Sequence, residues 1–141
     1  MSAGRPMLEP GALTEPFWAA AARHELVVQK CASCGALRHY PQPMCPDCHG
    51  IEYAWQPLSG RGTVYTFTVS HQAFHPAWRD RVPVAIATIE LEEGVRMLSD
   101  LPAQDVDRVH IEMAVEVFFE DVVTESGRAV TLPRFRSVED S

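Results

Sequence analysis

Lysine is nearly missing from this chain. Lys30 is the single lysine among twelve basic residues, and nineteen Asp and Glu leave a net charge of -7. A nucleic-acid binder depends on Lys and Arg to displace counterions from phosphates, so the balance argues against that role and allows a local cationic spot at most. Cysteine is confined to two CxxC pairs, which leaves none spare for acyl transfer. There is no Gly-rich phosphate loop and no nucleophile elbow. Long apolar runs are also lacking. Trp18-Ala-Ala-Ala-Ala22 is far too short to span a bilayer, and no run of signal-peptide length follows Arg5. The expectation is a cytoplasmic protein, where paired thiols point to metal rather than to disulfides.

What is present suits a small two-part protein. The chain has 141 residues, 46% of them apolar. A core of about 80 residues can hold itself together, whereas a segment of roughly 30 usually needs a metal or a disulfide.

Residues 1–13, with Gly4, Pro6, Pro10 and Gly11, show no periodicity and read as a mobile arm. Thr14 is placed to cap a helix over 14–25 with Pro16 in its first turn, and the helix offers Phe17, Trp18 and Ala21 to an apolar surface. That surface is either its own domain or a partner's. Leu26–Lys30 reads as a strand entering the first Cys pair, and the segment 26–57 as a ribbon with the loop Ala36–Met44 between its pairs. Tyr40 and Trp55 are expected to pack the ribbon against the strands beyond residue 57.

From 58 to 136 the texture is β. Thr63–Ser70 alternates, with Thr63, Tyr65, Phe67 and Val69 on one face. Val82–Leu91, a Glu92-Glu93-Gly94 turn and Val95–Ser99 form a hairpin. After a helical turn in Pro102–Arg108, Ala114–Val123 presents Val115, Val117 and Phe119 to one side. Ser126-Gly127 leads to Ala129–Phe135, and 137–141 is a tail. Five antiparallel strands with an excursion between the third and fourth suit an OB-type Greek-key barrel, with a β-sandwich fragment as the alternative. The predicted class is mainly β: an N-terminal helix, a rubredoxin-like ribbon and a five-stranded OB barrel.

The metal signal lies in Cys31-Ala-Ser-Cys34-Gly35 and Cys45-Pro-Asp-Cys48-His49-Gly50. CxxC spacing lets two thiolates meet one ion, and a Gly after the second Cys relieves a positive φ. Cys31, Cys34, Cys45 and Cys48 thus make a closed S4 set for structural Zn²⁺. Iron and a redox dithiol are the competing readings, and His49 is a fifth candidate ligand.

These knuckles, with Ser59-Gly-Arg-Gly-Thr-Val-Tyr65, Val82-Pro-Val84, Leu91-Glu-Glu-Gly-Val-Arg-Met-Leu-Ser99, Val115-Glu-Val-Phe-Phe119 and Leu132-Pro-Arg-Phe135, occur together over about residues 14–136. The chain resembles the bacterial and archaeal family of zinc-ribbon OB-fold proteins long catalogued as a domain of unknown function. The resemblance implies a non-catalytic subunit beside a thiolase-fold acyl-CoA enzyme, either a retro-aldolase (lyase) of steroid or acyl-CoA side chains or a thiolase (acyltransferase). The partner carries the reacting residues, and this subunit helps hold the complex and the CoA arm. The family commonly has Gly and Pro before the fourth barrel strand, where this chain reads Ile111-Glu-Met-Ala-Val115.

Candidate contacts with CoA or a partner are Lys30, Arg38 and Arg61 near the ribbon, with His39 beside them. Phe74, His75, Trp78, Arg79 and Arg81 join them from the polar connector His71–Arg81. Aromatic anchors suit an interface and Arg suits phosphate or carboxylate. A solvated connector is the plain alternative, and His71 or His75 as a general base with Asp80 a further one. A single-stranded nucleic-acid-binding ribbon and barrel is the competing function, disfavoured by charge.

Overall fold

The protein is described by a computed structural model covering residues 11–73, 76, 79–124 and 127–138. Most of the arm (1–10) and Phe74, His75, Trp78 and Ser126 lie outside the described residues. Among those described, helix α1 (Glu15–Ala22) precedes β1 (Val27–Cys31), β2 (Leu37–Arg38), β3 (Tyr53–Pro57), β4 (Arg61–Ser70), β5 (Val84–Leu91), β6 (Arg96–Leu101), β7 (Ala114–Val123) and β8 (Ala129–Ser137). A short 3₁₀ turn, Ala103–Asp105, sits between β6 and β7.

α1 ends three residues sooner than its pattern predicts. His24 turns into the left-handed region at φ +60. The N–H groups of His24 and Glu25 then bond back to the carbonyls of Ala21 and Ala20 at 2.8 and 2.9 Å, a Schellman closure. Nor does Thr14 cap the helix with its side chain. Its backbone is already helical, and its hydroxyl accepts the N–H of Gly11 at 3.1 Å. Phe17, Ala20 and Ala21 are buried, and Phe17 belongs to the central core, so this face packs on its own molecule.

Beyond the helix lie two sheets. The ribbon sheet has the order β2-β1-β3 and the barrel sheet β6-β5-β4-β7-β8, all pairings antiparallel. β2 and β3 are not evident as strands in the residue pattern. β2 is two residues inside a proline-bearing loop, and β3 gains its conformation from the ladder Val27↔Pro57 to Cys31↔Tyr53. β5 begins at Val84 rather than Val82, because Pro83 has no N–H for the ladder.

In β4 the regular alternation fails. Register against β5 passes from Val64↔Ile89 to Thr66↔Thr88, so Tyr65 is an extra, unpaired residue. This bulge turns Val64 inward, fully buried, and Tyr65 outward, and it lets Phe67 and Val69 still face the core. Without the extra residue, Val64 and Phe67 would lie on opposite faces.

Two glycines of the Ser59-Gly-Arg-Gly62 run are dictated by close packing. A Cβ on Gly62 would stand 2.4 Å from the Glu90 carbonyl oxygen. Gly60 has φ +82 and lies against the Val117 side chain. Glu93 accepts the Ser59 N–H at 2.8 Å, and Glu92 accepts from Arg61, which ties this run to the β5–β6 turn.

The core gathers Phe17, Leu26 and Val28 with Val64, Ile89, Leu91, Val115 and Phe135. Each large side chain fully withdrawn from water contributes about 1.5–3 kcal/mol. Helix, ribbon strand and barrel share this one core.

Candidate metal centre and its surroundings

Both knuckles have the same backbone. The N–H of Gly35 bonds to the Cys31 carbonyl at 3.0 Å, and that of His49 to the Cys45 carbonyl at 2.9 Å. Cys31 and Cys45 donate in turn to the carbonyls of Ala36 and Gly50, each at 2.9 Å. The fifth residue of each turn must be left-handed: Gly35 has φ +77 and His49 has φ +65. His49 therefore holds the position that Gly holds in the first knuckle. Gly50 leaves room that a Cβ would take from Ser33 Oγ and Cys48 Sγ.

The four Sγ atoms lie within 4.8 Å of one another. Cys31 and Cys48 are 3.5 Å apart, and Cys34 and Cys45 3.7 Å. A tetrahedral S4 site with metal–sulfur bonds of about 2.3 Å has edges of about 3.8 Å, so a tetrahedrally coordinated ion fits the donor set.

Electrostatics divides the thiols. The N–H groups of Cys34 and Ser33 stabilise a Cys31 thiolate and bring its pKa down to about 6. Those of Cys48 and Asp47 lower Cys45 likewise. Cys34 receives the Ala36 N–H, but burial and the neighbouring thiols outweigh it and push Cys34 up to about 12. At Cys48 the Gly50 N–H is likewise outweighed, by Cys31 and burial, and its pKa rises. A cation placed among the four sulfurs removes that competition for protons, as a thiolate ligand set requires.

The loop between the knuckles is braced by a residue that the sequence pattern did not single out. Gln29 is fully buried. Its Oε1 accepts from Arg38 Nε at 2.6 Å and from the Gln42 N–H at 2.8 Å. The signal that could have found it was a lone polar residue in the run Leu26-Val-Val-Gln29.

The same contacts correct the cationic patch. Arg38 is only 8% exposed, donates also to the Gln42 carbonyl at 3.0 Å and lies over the Tyr53 ring. It is committed to the ribbon and cannot meet an external phosphate without breaking these bonds. Arg61 is exposed but ion-paired with Glu92 at 3.1 Å. Lys30, His71, Arg79, Asp80 and Arg81 are exposed. Trp55 packs on the core as expected, whereas Tyr40 does not, being 57% exposed. No helix among the described residues is long and apolar enough to cross a membrane.

Residues 18–52 match the rubredoxin-like zinc ribbon domain of ChsH2, and residues 55–120 match its C-terminal OB-fold domain. A DUF35 domain-containing scaffold protein of Methanocaldococcus jannaschii is 36% identical over 98 residues, 69% of each chain. The chain belongs to the DUF35 family of ChsH2-type zinc-ribbon OB-fold proteins.

A solved structure described as the Ltp2-ChsH2(DUF35) aldolase contains a similar chain. The TM-score is 0.81 and the identity 32%, with 94% of this chain and 100% of that one covered. The 3-oxo-4,17-pregnadiene-20-carboxyl-CoA hydratase alpha subunit of Mycobacterium tuberculosis is 39% identical over 122 residues, covering 81% of this chain and 38% of that protein. This DUF35 chain thus spans well under half the length of the curated hydratase subunits it matches.

Proposed function

We propose that this DUF35 protein is a non-catalytic subunit of a thiolase-fold acyl-CoA enzyme, with the reacting residues on the partner. The observation that carries the reading is the likeness, over the full length of that chain, to a chain of the Ltp2-ChsH2(DUF35) aldolase. Retro-aldol cleavage of a steroid or similar acyl-CoA side chain is the narrower reading, in keeping with the relative named for a pregnadiene carboxyl-CoA. Thiolytic chemistry is the close alternative implied by the family resemblance.

Zn²⁺ held by Cys31, Cys34, Cys45 and Cys48 supplies folding energy to the ribbon. A closed S4 set offers no open position for substrate or water. Of the cations singled out in the sequence, Lys30, Arg79 and Arg81 are exposed and free to meet a CoA phosphate or a partner carboxylate. Phe74, His75 and Trp78 of the same connector remain contact candidates outside the described residues.

The test is co-expression with the thiolase-type subunit, followed by size-exclusion chromatography, metal analysis and an acyl-CoA cleavage assay. A stable heteromer with one zinc per DUF35 chain, active only when both subunits are present, is expected. Failure to co-elute, or turnover by this chain alone, would overturn the reading.

A further inference from the structure

Helix, ribbon and barrel meet not only in the core but around an open surface groove of about 300 Å³. Phe17 and Trp18 of α1 form one wall, His39 and Tyr40 of the ribbon loop a second, and Leu98 of β6 with Pro133 of β8 the third. Two of these side chains stand out into solvent: Tyr40 is 57% exposed and Leu98 54%. An aromatic and a branched aliphatic are thus exposed together at one concavity.

The charge pattern narrows what fits. Among the described residues no Asp, Glu, Lys or Arg lines the groove, on a chain whose net charge is -7. Burial lowers the pKa of His39 to about 4, so its ring is neutral at physiological pH. Its ring packs 5.3 Å from Phe17 and 4.5 Å from Tyr40, while its buried Nδ1 has no hydrogen-bond partner among the described residues. A charge-poor apolar centre with an aromatic, set in a polar surface, has the composition of the middle of a protein interface. The anionic CoA arm has nothing to pair with there. The openness of the groove and the outward Tyr40 and Leu98 favour a protein segment over a small ligand, which a pocket encloses on most sides.

The geometry points to this groove as the seat of an uncharged apolar segment of the thiolase-type subunit, led by one bulky aromatic or branched side chain. The inference rests on the heteromer proposed above and names its contact surface. A segment seated there touches all three parts of the protein at once, so binding resists their separation.

The experiment measures affinity of the full chain for the purified thiolase-type subunit, with thermal melts as a folding control. Leu98→Asp puts a charge on the rim at an outward-facing position, and Tyr40→Ala removes the exposed ring. Ile111→Asp, at another exposed apolar position, is the control. At least tenfold weaker binding is expected for Leu98→Asp and several-fold weaker for Tyr40→Ala, with Ile111→Asp unchanged. Unchanged affinity for both groove variants would overturn the inference. So would intact assembly with a raised KM for acyl-CoA, which would make the groove an acyl site. If the wild-type chain itself fails to bind, the heteromer falls, a result distinguishable from loss confined to the groove variants.

Discussion

Arg134 on β8 donates through Nε to Asp100 on β6 at 2.7 Å, and so joins the two strands at opposite ends of the barrel sheet's order. A second guanidinium nitrogen bonds Glu120 on β7. One cation thus answers two carboxylates where the sheet curls back on itself, and all three side chains are largely withdrawn from water. Arg134→Met is expected to lower stability by about 2–3 kcal/mol, because it leaves two partly buried carboxylates facing each other. Urea unfolding measures the loss, and adding Asp100→Asn should recover part of it. An unchanged midpoint would show that the pair contributes nothing to closure.

Gly62 makes a sharper prediction, since its clash is with backbone rather than with a movable side chain. Gly62→Ala forces its Cβ into the Glu90 carbonyl unless β4 and β5 separate. A loss of about 3 kcal/mol or more is expected, in the range of overpacked sites. Hydrogen exchange should localise it to the β4–β5 ladder.

Glu112 is a case where the chain departs from a more comfortable residue. It sits at φ +69 in the turn before β7, within the stretch where the family commonly has Gly and Pro. Its N–H still bonds the Val64 carbonyl at 2.7 Å, so the conformation is held by β4. Glu112→Gly should raise stability by about 0.5–1 kcal/mol, because the left-handed region costs an L side chain about that much more than it costs glycine. Thermal melts check the sign.

Acid should weaken the junction of helix and ribbon through His39. Unfolded, its imidazole titrates at the ordinary 6.5, whereas burial holds it near 4 in the folded chain. Between those values the unfolded chain binds a proton that the folded chain refuses. The contribution is complete above pH 6.5 and is lost as pH falls toward 4. Between pH 7 and pH 5 the loss is about 2 kcal/mol. His39→Gln should flatten that part of the stability profile, measured by urea unfolding of the zinc-loaded chain. An unaltered slope would place the titration elsewhere.

Much of the architecture was readable because its signals are local. Two CxxC turns need no long-range information to bring thiols together in pairs, and Gly35 announces its own left-handed position. The hairpin at Gly94 and the inward face Val115, Val117, Phe119 likewise come from turn chemistry and a period of two. Alternation failed at Tyr65, because a bulge is a property of the pairing with β5 and leaves no mark on β4 alone. β2 and β3 escaped notice because they are strands only by virtue of lying beside β1.

By itself, then, the order of residues determined which groups could hold a metal, where the chain turns and which face of each long strand is apolar. Only the tertiary structure decided which cations remain available. Arg38 looked like a surface charge beside the ribbon, and folding turned it inward onto Gln29 and Tyr53. Tyr40 looked like packing, and folding left it at the rim of a groove with Leu98, 58 positions further along the chain. The physical reason is one of range. Turn preference and ligand spacing are settled within a few bonds, whereas burial depends on what distant strands bring against a side chain.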